Sequence, residues 1–267
     1  MKKINYKYIY MFGGSKRKKC KCVDYYKENN NYFVKQKIIG NTPTEIRCNK
    51  YAQKGSDFCE EHKNCKQFLK QFTNGEEPEL NYMKWAHPYV EGSHNCYAYF
   101  LNDIYESLIK KCEDICYKTN GNCPNKPKKC RNLIPQPGDY YLEKKYGDLS
   151  KKEYNYTCEE MEDKILKDNP NISKTQLTEK CERNHYKGAM VVDPGSTFHF
   201  YRQNPNGTWS HKPGTLKVSE KDAANNTIYT PMTANRDYTS PSDPDAINYT
   251  GFCGYYCIPK NITTKSK

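Results

Sequence analysis

The chain has 267 residues, of which 36% are hydrophobic and 25 are tyrosine, and its formal net charge is +12. This length fits one large domain, or a domain of ordinary size with a small additional module. No stretch approaches the roughly 18–20 apolar residues of a transmembrane helix, and the first residues lack the apolar core of a signal peptide. We therefore expect a protein that is neither membrane-spanning nor secreted.

The positive charge is concentrated near the N-terminus. Residues 1–70 contain 17 Lys/Arg against 6 Asp/Glu, whereas residues 71–267 contain 26 against 25. A localised positive patch attracts polyanions such as nucleic acid, although such patches also occur simply as solvated, solubilising faces. Within it, residues 1–19 combine Gly13-Gly14-Ser15 with a Lys/Arg run, and we predict that they form a disordered basic N-terminus.

Residues 20–70 hold a candidate metal-binding module. The sequence Cys59-Glu60-Glu61-His62 places two ligands three residues apart, so that one turn can present both to one ion. Zinc takes four such sulfur or nitrogen ligands in a tetrahedron. A segment this short, with few apolar side chains, needs a metal or disulfides for stability. We predict a structural zinc site whose candidate ligands are Cys20, Cys22, Cys48, Cys59 and His62, with Cys65 as an alternative.

The segment 47–62 resembles a short Cys/His motif of proteins from giant DNA viruses. In that motif a cysteine, a basic stretch, Gly-Ser, an aromatic residue and C-x-x-H follow in order, as Cys48, Gly55-Ser56, Phe58 and Cys59–His62 do here. The resemblance implies an uncharacterised giant-virus (mimivirus-like) family, located in the virus factory of the host cytoplasm or in the virion. The six Asn-x-Ser/Thr sequons are then by-products of abundant Asn and Thr.

Residues 71–92 are predicted to form a linker, because Gly75 and Pro78 interrupt regular structure. A helix is predicted to follow from Asn95, since apolar side chains recur at helical spacing beyond it and Ser93 or Asn95 can cap its start. This places Cys96 at a helix N-terminus, where the helix dipole favours a thiolate and free amides can stabilise an oxyanion.

Strand signals dominate the C-terminal third of the chain. Residues 189–192, 197–201 and 208–211 are apolar or aromatic runs, and the turn residues at 204–207 predict a β-hairpin between the last two. That hairpin would bring His211 close to His199. A cysteine nucleophile needs a base and an orienting group, so we predict Cys96 as nucleophile, His199 as base and His211 as orienting residue. Taken singly, each also fits a structural role, such as a packed cysteine or a core histidine.

The order of Cys96, Pro137-Gly138-Asp139, His199 and His211 resembles that of NlpC-type peptidases in the papain-like superfamily. The resemblance implies an α+β, papain-like domain over residues 93–260, with a helix-start cysteine, an antiparallel sheet and amidase or peptidase activity. Residues 142–187 are polar and are predicted to form a helical insertion.

The remaining cysteines have two interpretations. Four of them, Cys112, Cys116, Cys123 and Cys130, could form a second zinc site. Alternatively, they pair with Cys158, Cys181, Cys253 and Cys257 as disulfides. We favour disulfides because this group contains no C-x-x-C pair; large cytoplasmic viruses as a class encode thiol oxidases, so disulfides agree with an intracellular origin.

Two functions follow. The first is a cysteine hydrolase that acts on a peptide or amide substrate, preceded by a structural zinc module. The alternative is a non-catalytic virion or interaction protein whose basic zinc module binds nucleic acid or a protein partner, with no role at a membrane.

Overall fold

The computed structural model describes residues 17–29, 31–39, 42–117, 130, 133–146 and 154–261. The rest, including most of the predicted disordered N-terminus and Cys123, lies outside the described residues. Helices and antiparallel strands both occur, which confirms the α+β prediction. None of the described helices has the length and apolar character needed to cross a membrane.

The elements of the described part are these. The helices are α1 (Cys65–Lys70), α2 (Tyr82–Trp85), α3 (Pro88–Ser93), α4 (Cys96–Phe100), α5 (Glu106–Tyr117), α6 (Asp139–Tyr146) and α7 (Cys158–Asp168). The strands are β1 (Tyr25–Glu28), β2 (Asn31–Val34), β3 (Gln36–Ile39), β4 (Thr42–Glu45), β5 (Ser173–Thr175), β6 (His185–Asp193), β7 (Thr197–Gln203), β8 (Trp209–His211) and β9 (Gly251–Pro259).

A five-stranded antiparallel sheet, in the order β5-β9-β6-β7-β8, forms the centre of the fold. The predicted hairpin between β7 and β8 is confirmed, with Tyr201 opposite His211. Gly207 in its turn has φ +84°, and a Cβ there would lie 2.6 Å from the backbone nitrogen of Lys70. The turn therefore requires glycine, both for its left-handed backbone and for the close approach of α1.

The two faces of the sheet pack against different parts of the chain, because side chains alternate along a strand. Phe198 and Phe200 belong to one hydrophobic cluster, which includes Met161 and Ile165 of α7 and residues of α4. Tyr201, which alternates with them, belongs to a second cluster on the opposite face.

That second cluster joins the N-terminal segment to the sheet. It contains buried cysteines of residues 20–65 together with Trp209 and Tyr255 of the sheet. The Phe58 and Tyr229 rings lie 4.9 Å apart, and Tyr255 Oη donates a hydrogen bond to Glu45 over 3.0 Å. The predicted zinc-binding module over 20–70 therefore shares a core with the following domain.

Residues 71–92 are folded against the rest of the chain, so the prediction of a linker is corrected. They contain α2 and α3, and Trp85 is buried with its ring 5.0 Å from that of Tyr99. The Asn74 side-chain amide donates hydrogen bonds to the carbonyls of Cys181 and His185. Gly75 and Pro78 set local turns, but nonlocal packing decides that this segment is ordered.

The helix predicted to run on from Asn95 is divided in two. Asn102 adopts a left-handed conformation with φ 50°, and the Asp103 amide donates to the Ala98 carbonyl over 3.0 Å. This capping geometry ends α4, because asparagine tolerates positive φ better than most residues. Helix α5 starts four residues later, at Glu106.

The predicted insertion over 142–187 is part of the core. Strand β5 pairs with β9, and Met161 and Ile165 of α7 are fully buried. The Pro137-Gly138-Asp139 turn has Gly138 at φ +90° and leads directly into α6. The predicted turn and an antiparallel sheet are thus both present.

Disulfides connect distant parts of the described chain. The pairs are Cys22–Cys65, Cys112–Cys130, Cys158–Cys253 and Cys181–Cys257, and Cys116 is also disulfide-bonded. They confirm the disulfide interpretation for the cysteines after Cys96, although Cys112 pairs within its own group, and the Cys22–Cys65 bond was not predicted. The free cysteines among the described residues are Cys20, Cys48, Cys59 and Cys96.

Candidate functional sites

Three of the free cysteines converge with His62 in the N-terminal segment. The Cys48 amide donates to the Cys22 carbonyl over 3.0 Å, and the Cys20 amide donates to the Lys50 carbonyl over 2.8 Å. These bonds hold two extended segments side by side. In the C-x-x-H turn, the His62 amide donates to the Cys59 carbonyl over 3.2 Å, so that both side chains face the same point.

The ligand atoms of Cys20, Cys48, Cys59 and His62 all lie within 4.8 Å of one another, and all four residues are buried. The Cys48 and Cys59 sulfurs are 3.8 Å apart. His62 Nδ1 lies 3.4 Å from the Cys59 sulfur and 3.9 Å from the Cys20 sulfur. Four ligand atoms at these separations can hold a metal ion.

The other ring nitrogen of His62 is held by its surroundings. His62 Nε2 lies 3.1 Å from the Tyr25 carbonyl and 3.5 Å from Asp24 Oδ1. The Tyr25 carbonyl is the nearest of these groups and favours the tautomer in which Nε2 carries the proton and Nδ1 presents its lone pair to the sulfurs, although the Tyr25 amide also lies 3.4 Å from Nε2. Outer contacts of this kind orient a metal-binding histidine.

Without a cation the Cys20 and Cys48 thiols are neutral. Burial raises the pKa of the Cys48 thiol to about 12 and also raises the pKa of Cys20, and the neighbouring Cys59 thiol raises both further. A buried cation reverses this balance, because a metal deprotonates the thiols that bind it.

Cys22 lies outside this ligand set, which corrects its prediction as a ligand. Its sulfur is bonded to that of Cys65, and this disulfide fixes the start of α1 against the extended segment at 20–22. The same bond removes Cys65 as an alternative ligand. Cys20 therefore completes the cluster with Cys48, Cys59 and His62.

The second site contains the two histidines of the β7–β8 hairpin. His199 Nε2 and His211 Nδ1 are 2.7 Å apart, and His211 Nε2 lies 2.9 Å from the Lys221 carbonyl. A carbonyl only accepts, so His211 Nε2 is protonated and its Nδ1 accepts from His199 Nε2–H. It follows that neutral His199 has an unprotonated Nδ1.

Burial keeps both rings neutral. It lowers the pKa of His211 to about 4 and the pKa of His199 well below its ordinary value, to which the neighbouring His211 also contributes. The chain of hydrogen bonds and the two pKa shifts therefore agree on one protonation state, in which both rings are neutral.

These shifts predict a dependence of stability on pH. Unfolded His211 takes up a proton below pH 6.5, whereas folded His211 does so only near pH 4. Stability from this group is therefore full above about pH 6.5 and is lost as the pH falls to about 4. Between pH 6.5 and 4, the free energy of unfolding measured in urea should fall by about 2–3 kcal/mol more for wild type than for His211→Asn. A pH-independent difference between the two proteins would contradict the burial of neutral His211.

Cys96 lies at the first position of α4 and is only 4% exposed. The Asn95 side chain accepts hydrogen bonds from the amides of Tyr97 and Ala98, which confirms the predicted cap. Burial raises the pKa of the Cys96 thiol to about 12, although hydrogen bonding to the Phe200 backbone and the charge of Lys212 act in the opposite direction. The thiol is therefore neutral in this conformation.

The Cys96 thiol packs with Phe198 and Phe200 on one face of the sheet, whereas the His199 ring contacts Tyr201 and Tyr249 on the other face. The pairing of β7 with β8 ends at Tyr201 and His211. The Phe200 backbone lies beyond this last pair, and the Cys96 thiol forms a hydrogen bond with it. Phe200 follows His199 directly. Among the described residues, the hydrogen-bond partner of the His199 ring is His211.

Two residues at this site were not identified from the sequence. Tyr249 stacks on His199 with ring centroids 5.3 Å apart, and thus covers the base. The Lys212 ammonium donates to the carbonyls of Glu91 and His94, which connects the end of β8 to the segment before Cys96. The position of Lys212 directly after His211 could have identified it from the sequence. No sequence signal links Tyr249 to this site.

Comparisons with known proteins give one partial similarity. The chain is 46% identical over 48 residues to insoluble matrix shell protein 1 of Ruditapes philippinarum. The match covers 18% of this chain and 32% of the shell protein, so the chain spans about a third of that relative. No family model and no solved structure matches the chain.

Proposed function

We propose that the protein is a cysteine hydrolase of amide or peptide bonds with a papain-like domain, in which Cys96 is the nucleophile and His199 the base. The supporting observation is the hydrogen-bond chain from Lys221 through His211 to His199, which leaves His199 Nδ1 unprotonated. Thiol hydrolysis needs a reduced cysteine and a base held in one tautomer by a third group, and Cys96 is free while His199 is held in this way.

In the proposed reaction, the Cys96 sulfur attacks the substrate carbonyl carbon and the thiol proton passes to His199 Nδ1. The carbon–nitrogen bond then breaks, and His199 returns the proton to the leaving amine. A water molecule next forms a carbon–oxygen bond while the carbon–sulfur bond breaks. His199 accepts the water proton and returns it to the Cys96 sulfur, which regenerates the free enzyme.

This reaction requires an opening that also brings the thiol and the imidazole together, because Cys96 and His199 are both buried and pack on opposite faces of the sheet. Residues 231–250 form a covering segment over the site, with Tyr249 on the His199 ring. Arg236 holds this segment together. Its Nε donates to the Tyr249 carbonyl over 2.9 Å, and its Nη1 donates to the carbonyls of Pro231 and Met232.

Arg236→Ala is therefore expected to expose the thiol. Each hydrogen bond of the guanidinium stabilises the closed segment by about 0.5–1.5 kcal/mol, so the rate of Cys96 alkylation by iodoacetamide should rise about tenfold or more. Mass spectrometry assigns the modified site. Arg183→Ala, an exposed substitution away from the segment, serves as the control and should leave the rate unchanged. Equal rates for all three proteins would contradict a covering role for residues 231–250.

We infer that the metal of the N-terminal cluster is zinc and that its role is structural. A tetrahedral zinc ion with Zn–S and Zn–N distances of about 2.3 and 2.0–2.1 Å requires S–S and S–N separations of about 3.8 and 3.6 Å. The separations of 3.8 Å between Cys48 and Cys59, and of 3.4 and 3.9 Å to His62, agree with this geometry. All four ligands come from the protein, as in a closed structural site.

A second candidate is a non-catalytic interaction protein, and the burial of Cys96 favours it. In that case Cys96 is a packed core residue, and the fold, stabilised by disulfides and a metal, presents its surfaces to a partner. Resemblance of a short segment to a matrix protein fits such a role. The two candidates differ in one measurable respect: the hydrolase forms a covalent acyl intermediate on Cys96, and the interaction protein does not.

A further inference from the structure

Two adjoining cavities form a basic groove where the N-terminal segment meets the sheet. The larger, of about 1110 Å³, is lined by Arg17, Lys18, Lys54 and Lys66, among other residues. The smaller, of about 430 Å³, is lined by Lys66, Lys70 and Lys221. Lys66 belongs to both, so we treat these six basic residues and the two cavities as one groove, the basic groove.

The basic residues of the larger cavity are not neutralised by neighbouring carboxylates. Within the described part of the chain, lysines elsewhere form ion pairs, such as Lys35 with Asp24 and Lys167 with Asp163. No such pair involves Arg17, Lys18, Lys54 or Lys66. A set of cations that converge on one cavity without counter-charges creates a strong positive potential there.

The acidic residues of the groove are already engaged. Asp57 is paired with Lys21 over 2.6 Å and accepts a hydrogen bond from Tyr229 Oη. Glu220, in the smaller cavity, accepts hydrogen bonds from Tyr82 Oη and from the Asn204 side-chain amide. Asp57 also interacts with the charge of Lys18. The six cations of the groove still outnumber these two carboxylates, so the groove favours an anionic ligand.

We propose that the basic groove binds a linear sulfated polysaccharide. Such a chain carries closely spaced anionic groups that unpaired Lys and Arg side chains can contact one after another along both cavities. This proposal concerns a site separate from Cys96 and His199, and it does not rest on hydrolase activity.

The lining of the groove favours a polysaccharide over nucleic acid. Proteins that bind single strands stack bases on exposed aromatic side chains, but the two aromatic residues that line the groove, Phe58 and Tyr229, are only 8% and 4% exposed. A duplex is a convex rod whose phosphates would reach the rim of a cavity more easily than its floor.

The test compares two variants of the full chain with equal loss of charge. The groove variant carries Lys54→Gln, Lys66→Gln and Lys70→Gln. The control variant carries Lys27→Gln, Lys37→Gln and Lys217→Gln, three exposed lysines outside the groove. Calorimetry with a heparin oligosaccharide, and with duplex and single-stranded DNA of similar charge, is repeated from about 0.05 to 0.2 M salt, where phosphate contacts are strongly screened.

Wild type should bind the heparin oligosaccharide more tightly than either DNA. The groove variant should bind it at least about tenfold more weakly and with a salt slope smaller by about 3, one for each lost contact. The affinity of the control variant for the oligosaccharide should differ from that of wild type by less than about twofold, since its three lysines lie outside the basic groove and would not contact the ligand. Equal losses in both variants, no heparin binding by folded wild type, or tighter binding of DNA through the same three lysines would each overturn the proposal.

Discussion

Cys96→Ala is expected to slow hydrolysis of a p-nitrophenyl ester or a peptidyl anilide by at least about 10³-fold, because loss of a nucleophile removes the covalent route. The free energy of unfolding should fall by only about 1 kcal/mol, as for an ordinary truncation in the core. Turnover is measured with wild type and with Arg236→Ala, in which the covering segment is weakened, and stability is measured by urea unfolding.

Cys96→Ser provides the matched control for this prediction. Serine retains the shape of the side chain and lacks the reactive thiol, so it should be as inactive as alanine while disturbing the packing less. His94→Gln tests the neighbouring histidine. His94 Nε2 accepts the Tyr105 amide over 2.9 Å, which marks a structural residue, and turnover should persist in this variant. Turnover that is the same in wild type and Cys96→Ala would assign the activity to another site.

His62→Ala is expected to remove the metal and to lower the free energy of unfolding by at least about 4 kcal/mol, since binding of a structural zinc supplies about 10–16 kcal/mol in small domains. Loss of the metal should destabilise the sheet as well, because the cysteine ligands belong to the same hydrophobic cluster as Trp209 and Tyr255. Metal content by mass spectrometry should fall from one zinc per chain to less than about 0.1.

The disulfide beside the cluster gives the control for this experiment. The double variant Cys22→Ala, Cys65→Ala removes a bond that closes a 43-residue separation. It should cost about 4 kcal/mol through the entropy of the unfolded chain, yet retain one zinc per chain. Metal loss in the double variant together with metal retention in His62→Ala would contradict the ligand set of Cys20, Cys48, Cys59 and His62.

The sequence predicted best what local patterns control. Alternating aromatic residues around His199, a turn rich in Asn and Gly, and a second short apolar run specify the β7–β8 hairpin. Because a hairpin fixes its own register, the approach of His211 to His199 followed from spacing alone. The cap of α4 by Asn95 is equally local, and so is the C-x-x-H turn of Cys59 and His62.

What depends on distant contacts could not be predicted. Cys20 and Cys22 occupy equivalent positions in an extended segment, and only the docking of α1 pairs Cys22 with Cys65 and leaves Cys20 for the metal. The folded state of residues 71–92 depends on the packing of Trp85 against Tyr99, and no local sequence pattern predicts this contact. Tyr249 covers His199 from 50 residues away in the chain.

Formation of an acyl intermediate on Cys96 that needs His199 is the most direct test of a thiol hydrolase. We would incubate the Arg236→Ala protein with a p-nitrophenyl ester, quench in acid and locate the acyl group by peptide mass spectrometry. The proposed mechanism predicts acylation of Cys96, with a rate that falls at least about 10²-fold when His199 is also replaced by alanine, the usual contribution of a general base. A Cys96 that stays unmodified, or that is acylated equally fast without His199, would contradict a thiol hydrolase and leave the interaction protein as the function of this fold.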